Sequence, residues 1–256
     1  MLPANQIKYI KSLSANKGRN MHNYFIAEGI KIVNELIFSN FFIDKIYLTP
    51  LIYEKYFDTY SQFNIQIVSI SEAEMQRISQ QTTPPGILAL VKIPDPAPLP
   101  TDFSYCPVLV LDEIKDPGNL GTIIRSADWF GLSDIICSEN SVDVYNPKVV
   151  QATMGSVARV RIHYTQLDTF FASLPFGINI YGSFLNGENI SAIKLDFNGI
   201  IIIGNESRGI SNFLLPYITK KIKIPYGNRK NISDKAESLN ASIATAIILY
   251  EFCRQG

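Results

Sequence analysis

The sequence has few of the residues that build metal centres and disulfide frameworks. Its three cysteines, Cys106, Cys137 and Cys253, are far apart and form no CxxC pair, and His22 and His163 are its two histidines. This distribution supports neither a zinc site nor a disulfide set, so no metal and a reducing compartment are expected. The longest apolar stretches, around Ile200 to Ile203 and Ile243 to Leu249, fall far short of the roughly 20 residues of a membrane span. The first residues lack the apolar core of a secretory signal, and a cytoplasmic location is expected. Low-complexity tracts and internal repeats are missing too. Charge of one sign is also missing, since 23 basic and 23 acidic residues cancel. A nucleic-acid surface would therefore have to come from local clusters.

What remains is a globular composition, 46% hydrophobic and 18% charged over 256 residues, a length that suits two domains. Two basic clusters stand out. Between Met1 and Ala27 lie Lys8, Lys11, Lys17 and Arg19 with no acid, and from Lys220 to Lys235 lie Lys220, Lys221, Lys223, Arg229, Lys230 and Lys235 against Asp234 alone. Taken alone, a solvated face explains either run more readily than RNA does.

Prolines at 94, 96, 98 and 100 disfavour regular ladders, so residues 94–104 are expected to link a domain at 1–93 to one at 105–256. In the first domain, strands are expected at Tyr24–Ala27, Ile43–Leu48, Ile65–Ile70 and Gly86–Val91. They alternate with helices at Asn5–Leu13, Gly29–Phe38, Leu51–Tyr60 and Ser71–Ile78, the last opened by a capping box of Ser71 and Glu74. In the second, runs at Val108–Asp112, Asp134–Cys137, Val160–Tyr164, Ile178–Gly182, Ile200–Gly204 and Ile222–Pro225 are apolar at consecutive positions, as in parallel strands covered on both faces. Helices are expected at Pro117–Phe130, Pro147–Met154, Leu167–Leu174, Asn212–Ile218 and Leu239–Cys253. The fold class is α/β.

Three strand-end loops carry residues that packing does not require. After Val108–Asp112 the chain reads DEIKDPGNLGTIIRSADWFG, where Asp116 caps a helix, Pro117 suits its first turn, and Leu120, Ile123, Ile124, Ala127 and Phe130 form a buried stripe. Glycines at 118 and 121 cost helix stability, which points to a close approach by a ligand or backbone. Asn119 and Arg125 would point about 120° apart on an ideal helix and converge only if Asn119 precedes its regular part. Taken alone, an exposed Arg and a turn Asn explain the segment better than a ligand site does. The second loop, IIIIGNESRGIS from Ile200 to Ser211, puts Glu206 at a strand's C-terminal edge, where open α/β sheets bind ligands. A dehydrogenase would also place an acid there, but the chain contains no G-x-G-x-x-G fingerprint. The third, from Ile224 to Phe252, combines a cap at Ser238, a core stripe at Ile243, Ala246, Ile247 and Tyr250, and an Asn240 that capping by Ser238 leaves unexplained.

Together these segments resemble the SpoU (TrmH) family of RNA 2′-O-ribose methyltransferases. The matching motifs are NLGTIIR at Asn119–Arg125, GNESRG at Gly204–Gly209, and Ile224–Pro225 followed by SLNAS at Ser238–Ser242. Lys17–Leu36, KGRNMHNYFIAEGIKIVNEL, looks like the small RNA-binding domain related to ribosomal proteins that many members carry. The resemblance implies a C-terminal trefoil knot, an exception to the rule against threaded chains, and a homodimer whose active sites draw on both subunits. It also implies S-adenosylmethionine held by the loops around Ser183, Gly204, Ile224, Tyr226, Ser238 and Leu239, with no metal.

The resemblance further implies methylation of a ribose 2′-hydroxyl in structured RNA, ribosomal RNA being favoured over transfer RNA. Asn119, Arg125, Glu206, Ser238 and Asn240 are its implied catalytic set. Lys8, Lys11, Lys17, Arg19, Arg125, Arg229 and Lys230 are the implied RNA contacts. The segment between Pro225 and Ser238 is longer and more basic than the common family version, and Tyr226 stands where methionine is frequent, so cofactor contacts from Tyr226 to Ala236 stay open. The alternatives are a noncatalytic RNA-binding or ribosome-assembly protein on the same fold, and a knotted enzyme that methylates a base.

Overall fold

The computed structural model describes residues 1–101, 107–227 and 237–255. These divide into two compact units, Met1–Pro96 with Asp143–Arg159, and Ala97–Val142 with Val160–Gly256. The division is not contiguous in sequence: residues 143–159, expected inside the second domain, pack with the first.

In chain order the first unit contains α1 (Ala4–Ser12), α2 (Asn16–His22), β1 (Tyr24–Glu28), α3 (Ile30–Ile37), β2 (Ile43–Leu48), α4 (Pro50–Tyr60), β3 (Gln66–Ser69), α5 (Glu72–Ile78) and β4 (Ile87–Lys92). The sheet order is β1-β4-β2-β3, with β2 and β3 parallel and the other pairs antiparallel. One core joins Ile7, Ile10 and Leu13 of the first helical segment to Ile26, Tyr47, Met75, Ile78 and Leu88. The capping box is formed: Ser71 Oγ accepts from Glu74 N, and Glu74 accepts from Ser71 N. Helix α2 is not apparent in the apolar periodicity. It is short, and what holds it is the long-range partnering of Arg19 described below.

The second unit carries β5 (Val108–Leu111), α6 (Pro117–Trp129) and β6 (Asp134–Ser138). The chain then contributes α7 (Pro147–Thr153) to the first unit and returns with β7 (Arg161–Thr165), α8 (Leu167–Ala172), β8 (Ile180–Asn189), β9 (Ile200–Ile203), β10 (Lys220–Lys223) and α9 (Ala241–Gln255). The six strands are all parallel, in the order β10-β8-β9-β5-β6-β7. Strands β5 and β9 are buried at every position, which is why they read as unbroken apolar runs. Successive strands leave β5 on one side toward β6 and β7, and later ones fill the other side. The C-terminal ends of β5 and β9 therefore border the topological switch point, where such sheets open a ligand crevice.

Three local expectations change. Residues Asn212–Tyr217 form a 3-10 segment rather than an α-helix, because Pro216 supplies no N–H for a longer ladder. Strand β10 ends at Lys223, so Ile224 and Pro225 lie in the loop beyond it. On α9 the core face is Ala241, Thr245, Ile248, Leu249 and Phe252, while Ile243, Ile247 and Tyr250, expected in the core, are exposed. The helix packs against α6, and Phe252 of the buried face meets the Tyr181 ring edge-on. Among the described residues, no helix is long and apolar enough to cross a membrane.

Candidate active site

Asp116 closes the loop after β5: its Oδ1 accepts from Asn119 N at 2.8 Å, and Pro117 occupies the first turn of α6. Asn119 is thus inside the helix, and its side chain is only 8% exposed. Burying an amide requires partners, and it has two. Asn119 Nδ2 donates to Glu206 Oε1 at 2.7 Å, and Asn119 Oδ1 accepts from Asn240 Nδ2 at 2.8 Å. Residues from the ends of β5 and β9 and from the start of α9 are so joined in one hydrogen-bond chain.

Asn240, rather than Ser238, caps α9. Its Oδ1 accepts from the backbone N–H groups of Ser242 at 2.9 Å and Ile243 at 3.3 Å, and from Ser242 Oγ at 2.6 Å. One side chain therefore satisfies the helix terminus with its oxygen and fixes Asn119 with its nitrogen. Ser238, expected as the cap, is exposed at the rim of the cavity described next.

A cavity of about 1010 Å³ lies between the middle of β8, the end of β9 with the loop beyond it, the loop after β10 and the start of α9. Ser183, Gly204, Ile224, Tyr226, Ser238 and Leu239 all line it, as does Glu206. Sequence reasoning did not single out Phe184, Asn186, Arg208 or Glu237, which also line it; Arg208 lies inside the GNESRG motif, and the other three had only their nearness to residues already named as a signal. Gly204 is required here because a Cβ would overlap the backbone of Gly209 and Ile210. Apolar walls from Phe184, Ile203, Ile224 and Leu239, serine hydroxyls and the carboxylates of Glu206 and Glu237 suit a ligand that joins a flat base, a hydroxylated sugar and a cationic tail.

The loop from Gly204 to Ser211 is tightly tied. Asn205 and Gly209 exchange backbone hydrogen bonds at 3.0 and 2.9 Å, and Asn205 Oδ1 accepts from Ser207 N and Arg208 N. Asn205 Nδ2 donates to Glu113 O at 2.8 Å, Arg208 pairs with the Glu113 carboxylate, and Ser211 N donates to Asp112 Oδ2 at 2.7 Å.

Arg125 does not join this cluster. It sits on the exposed face of α6, makes no hydrogen bond or ion pair among the described residues, and lies one turn from Trp129, which is 84% exposed. Asn119 being helical keeps the two directions apart, as the ideal-helix argument requires. Of the basic residues assigned to RNA, Lys8, Lys11 and Lys17 are exposed on α1 and α2. Arg19 must be withdrawn. It is 2% exposed, donates to Leu13 O and Ser14 O, and pairs with Asp143 Oδ2 at 2.6 Å, because its guanidinium satisfies carbonyls at the end of the first helical segment. Arg229 and Lys230 lie outside the described residues. No group of three or more His, Cys, Asp and Glu side chains among the described residues is placed to hold a metal ion.

A carboxylate away from this cluster, Asp134 at the start of β6, is also held by partners on the neighbouring β7. Burial alone would raise the Asp134 carboxyl, yet hydrogen bonds from Arg161, His163 and Ser133 hold it down at about 2.

The family model described as the SpoU rRNA Methylase family matches residues 107–250, and one described as the MRM3-like substrate binding domain matches residues 4–89. The chain is 30% identical to the 23S rRNA (guanosine(2553)-2′-O)-methyltransferase RlmP of Bacillus subtilis, over 96% of this chain and 94% of that protein. It is 32% identical to the 23S rRNA (uridine(2479)-2′-O)-methyltransferase of Streptomyces viridochromogenes, over 74% of this chain and 67% of that protein. Among solved structures, a TrmH-family protein from Porphyromonas gingivalis superposes with a TM-score of 0.86 at 35% identity, covering 100% of both chains. An AdoMet-bound rRNA methyltransferase from Sinorhizobium meliloti superposes with a TM-score of 0.83 at 26% identity, covering 99% of this chain and 96% of that one.

Proposed function

Because the chain belongs to the SpoU rRNA methylase family, we propose that it transfers a methyl group from S-adenosylmethionine to a ribose 2′-hydroxyl of ribosomal RNA. The observation that carries this reading is the cavity whose lining carboxylate, Glu206, is bonded to Asn119 and through it to Asn240.

Ser183, Gly204, Ile224, Tyr226, Ser238 and Leu239 would hold the cofactor, which supplies, when bound, a methyl group made electrophilic by its sulfonium. The chain's own task is to present the ribose in line with that methyl and to stabilise the 2′-oxygen as it sheds its proton. Glu206 accepts from Asn119 Nδ2, which leaves Asn119 Oδ1 oriented toward Asn240. This is a preorganised polar edge against which a ribose can be fixed. Arg125 would orient the RNA phosphate and ribose and stabilise developing negative charge. It would serve as a hydrogen-bond donor and fixed positive charge rather than as a literal base, because a guanidinium offers donors and no acceptor.

A homodimer completes the reading. Ile243, Ile247 and Tyr250 recur at helical spacing on the outward face of α9, and Trp129 of the adjoining α6 adds to them. Exposed apolar side chains at this spacing suit a second copy, and burial of Trp129 against it would bring the neighbouring Arg125 to the partner's site. An Ile247→Asp variant is expected to sediment as a monomer; a dimer of undiminished affinity would refute this surface. The C-terminal trefoil knot belongs to the same proposal, as does a cytoplasmic setting. Lys8, Lys11 and Lys17 are proposed RNA contacts, joined by Arg229 and Lys230.

The test is to incubate the protein with labelled S-adenosylmethionine and ribosomal RNA and to map the product by partial alkaline hydrolysis. One resistant linkage is expected, and Arg125→Ala should abolish it while S-adenosylhomocysteine still binds. A methyl group on a base would overturn the 2′-hydroxyl assignment. Failure of the wild-type protein to bind S-adenosylhomocysteine would favour a noncatalytic RNA-binding role.

A further inference from the structure

Among the described residues, three non-glycine residues have left-handed backbones: Asn23, Met154 and Glu113, the last with φ of 55°. Asn23 and Met154 follow the last residues of α2 and α7, where a left-handed residue is an ordinary helix ending. Glu113 ends no helix. It follows β5 and Asp112 at the switch point, and a strained residue held in such a place invites a functional explanation.

Its groups are all in use. Glu113 N donates to Ser138 Oγ at 2.8 Å, which anchors it to the end of β6. Its carbonyl accepts from Asn205 Nδ2 at 2.8 Å, and its carboxylate pairs with Arg208 and accepts weakly from Asn140 Nδ2 at 3.3 Å. The carboxylate is the less consequential group, since the Arg208 side chain is 69% exposed and exposed ion pairs contribute little. The carbonyl bond is different, because Asn205 shapes the whole loop. Its other amide atom, Oδ1, gathers Ser207 N and Arg208 N, and its backbone pairs with Gly209. Glu206 is held between these ties and points back to Asn119.

We infer that Glu113 is a positioning residue: its left-handed backbone turns its carbonyl onto Asn205, and Asn205 in turn sets Glu206 against Asn119. This rests on the methyl-transfer reading for its kinetic consequence but not for its geometry. With its N–H anchored on Ser138, Glu113 can aim its carbonyl at Asn205 only from this positive-φ backbone, so residues that tolerate the left-handed region should preserve the bond and β-branched residues should not.

The experiment compares Glu113→Gly with Glu113→Val. Glu113→Val is expected to lower kcat about tenfold or more with KM for RNA within about threefold, while Glu113→Gly, which keeps the backbone and loses the carboxylate, retains at least about a third of kcat. Equal loss in both variants would assign the effect to the ion pair and overturn the inference, as would wild-type kcat in Glu113→Val or a change in KM alone. If Glu113→Val shows no cooperative melt, Asn205→Asp replaces it. That variant keeps the Oδ1 acceptor but turns an oxygen toward the Glu113 carbonyl, so the same fall in kcat is expected and an unchanged kcat refutes the link. The Asn119 side-chain amide proton resonance reads the geometry without turnover. It should move in Glu113→Val, and in Asn205→Asp, and stay in Glu113→Gly. A wild-type protein that methylates no ribose, with this resonance pattern intact, would refute the methyl-transfer reading and leave the positioning role standing; an unmoved resonance would refute the positioning role.

Discussion

Replacing Asn119 by Asp changes one atom in the site and reverses one bond. The Oδ1 that accepts from Asn240 Nδ2 survives, but the donor that faces Glu206 Oε1 at 2.7 Å becomes a second carboxylate oxygen. Two ionised carboxylates at that distance repel by about 6 kcal/mol at an effective dielectric constant near 20. The variant has two ways out: the pair can share a proton and keep its geometry, or the exposed Glu206 can swing into water and break the chain. Protonating an ordinary carboxyl costs about 1.36 kcal/mol per pH unit above its pKa of about 4.3, hence about 4 kcal/mol at pH 7.5. The regained charge-assisted hydrogen bond offsets about 2 kcal/mol of this. The open state then wins by roughly 2 kcal/mol, a deficit of about thirty- to a hundredfold in kcat at pH 7.5. As pH falls the cost of the shared proton falls with it. The ratio of variant to wild-type rate should rise about tenfold per unit and level off near pH 6. Initial rates of methyl incorporation from pH 5.5 to 8.5, with S-adenosylhomocysteine binding measured in parallel, would show this. A ratio near one at pH 7.5, or a deficit that does not change with pH, would refute the role of the Asn119 to Glu206 bond.

Three further outcomes follow from the same structure. Gly204→Ala would push a Cβ into the Gly209 and Ile210 backbone, so calorimetry should show S-adenosylhomocysteine affinity falling about tenfold or more while the circular dichroism of the fold persists. Arg19→Ala removes a buried cation and leaves Asp143 and two carbonyls without their donor, so urea unfolding of the first unit should shift by roughly 2–4 kcal/mol, with RNA affinity of the folded protein unchanged. Asp134, held down at about 2, contributes stability that is fully present above the ordinary aspartate pKa and is lost as pH falls through about 2. An acid titration of the wild-type protein should lose stability in that window, and Asp134→Asn should lose less there, having lost the contribution already at neutral pH.

Much of the fold was legible because local pattern and burial coincide. Consecutive apolar residues at Val108–Leu111 and Ile200–Ile203 are strands covered on both faces, and no helix or half-exposed strand needs such runs. The turn chemistry around Asp116–Pro117 and Ser71–Glu74 is equally local, and both caps form as their residue types require. The candidate site was legible as loops: every residue expected to hold a cofactor lines one cavity. Roles within it were harder to read. Ser238 looked like the cap of α9, because a serine before an apolar helix is the usual sign, yet Asn240 lies closer to the helix start and also meets Asn119. The stripe of Ile243, Ile247 and Tyr250 has core periodicity and lies outward all the same, since periodicity shows that a face is apolar and not what covers it.

What the sequence determined by itself is therefore most of the strands and long helices, the parallel character of the second sheet and the three loops that carry the family motifs. These depend on neighbours within a few residues, through strand covering, helix spacing and caps. The tertiary structure alone decided that Arg19 is a buried structural cation, that residues 143–159 pack with the first unit, and that Glu113 takes a left-handed backbone. It also decided that Asn119 stands between Glu206 and Asn240. Each of these rests on a partner far away in sequence: Arg19 on Asp143, Asn205 on Glu113, Asn119 on residues 87 and 121 positions distant. Burial and hydrogen-bond satisfaction are settled only when such partners meet, and a local pattern carries no record of which ones will.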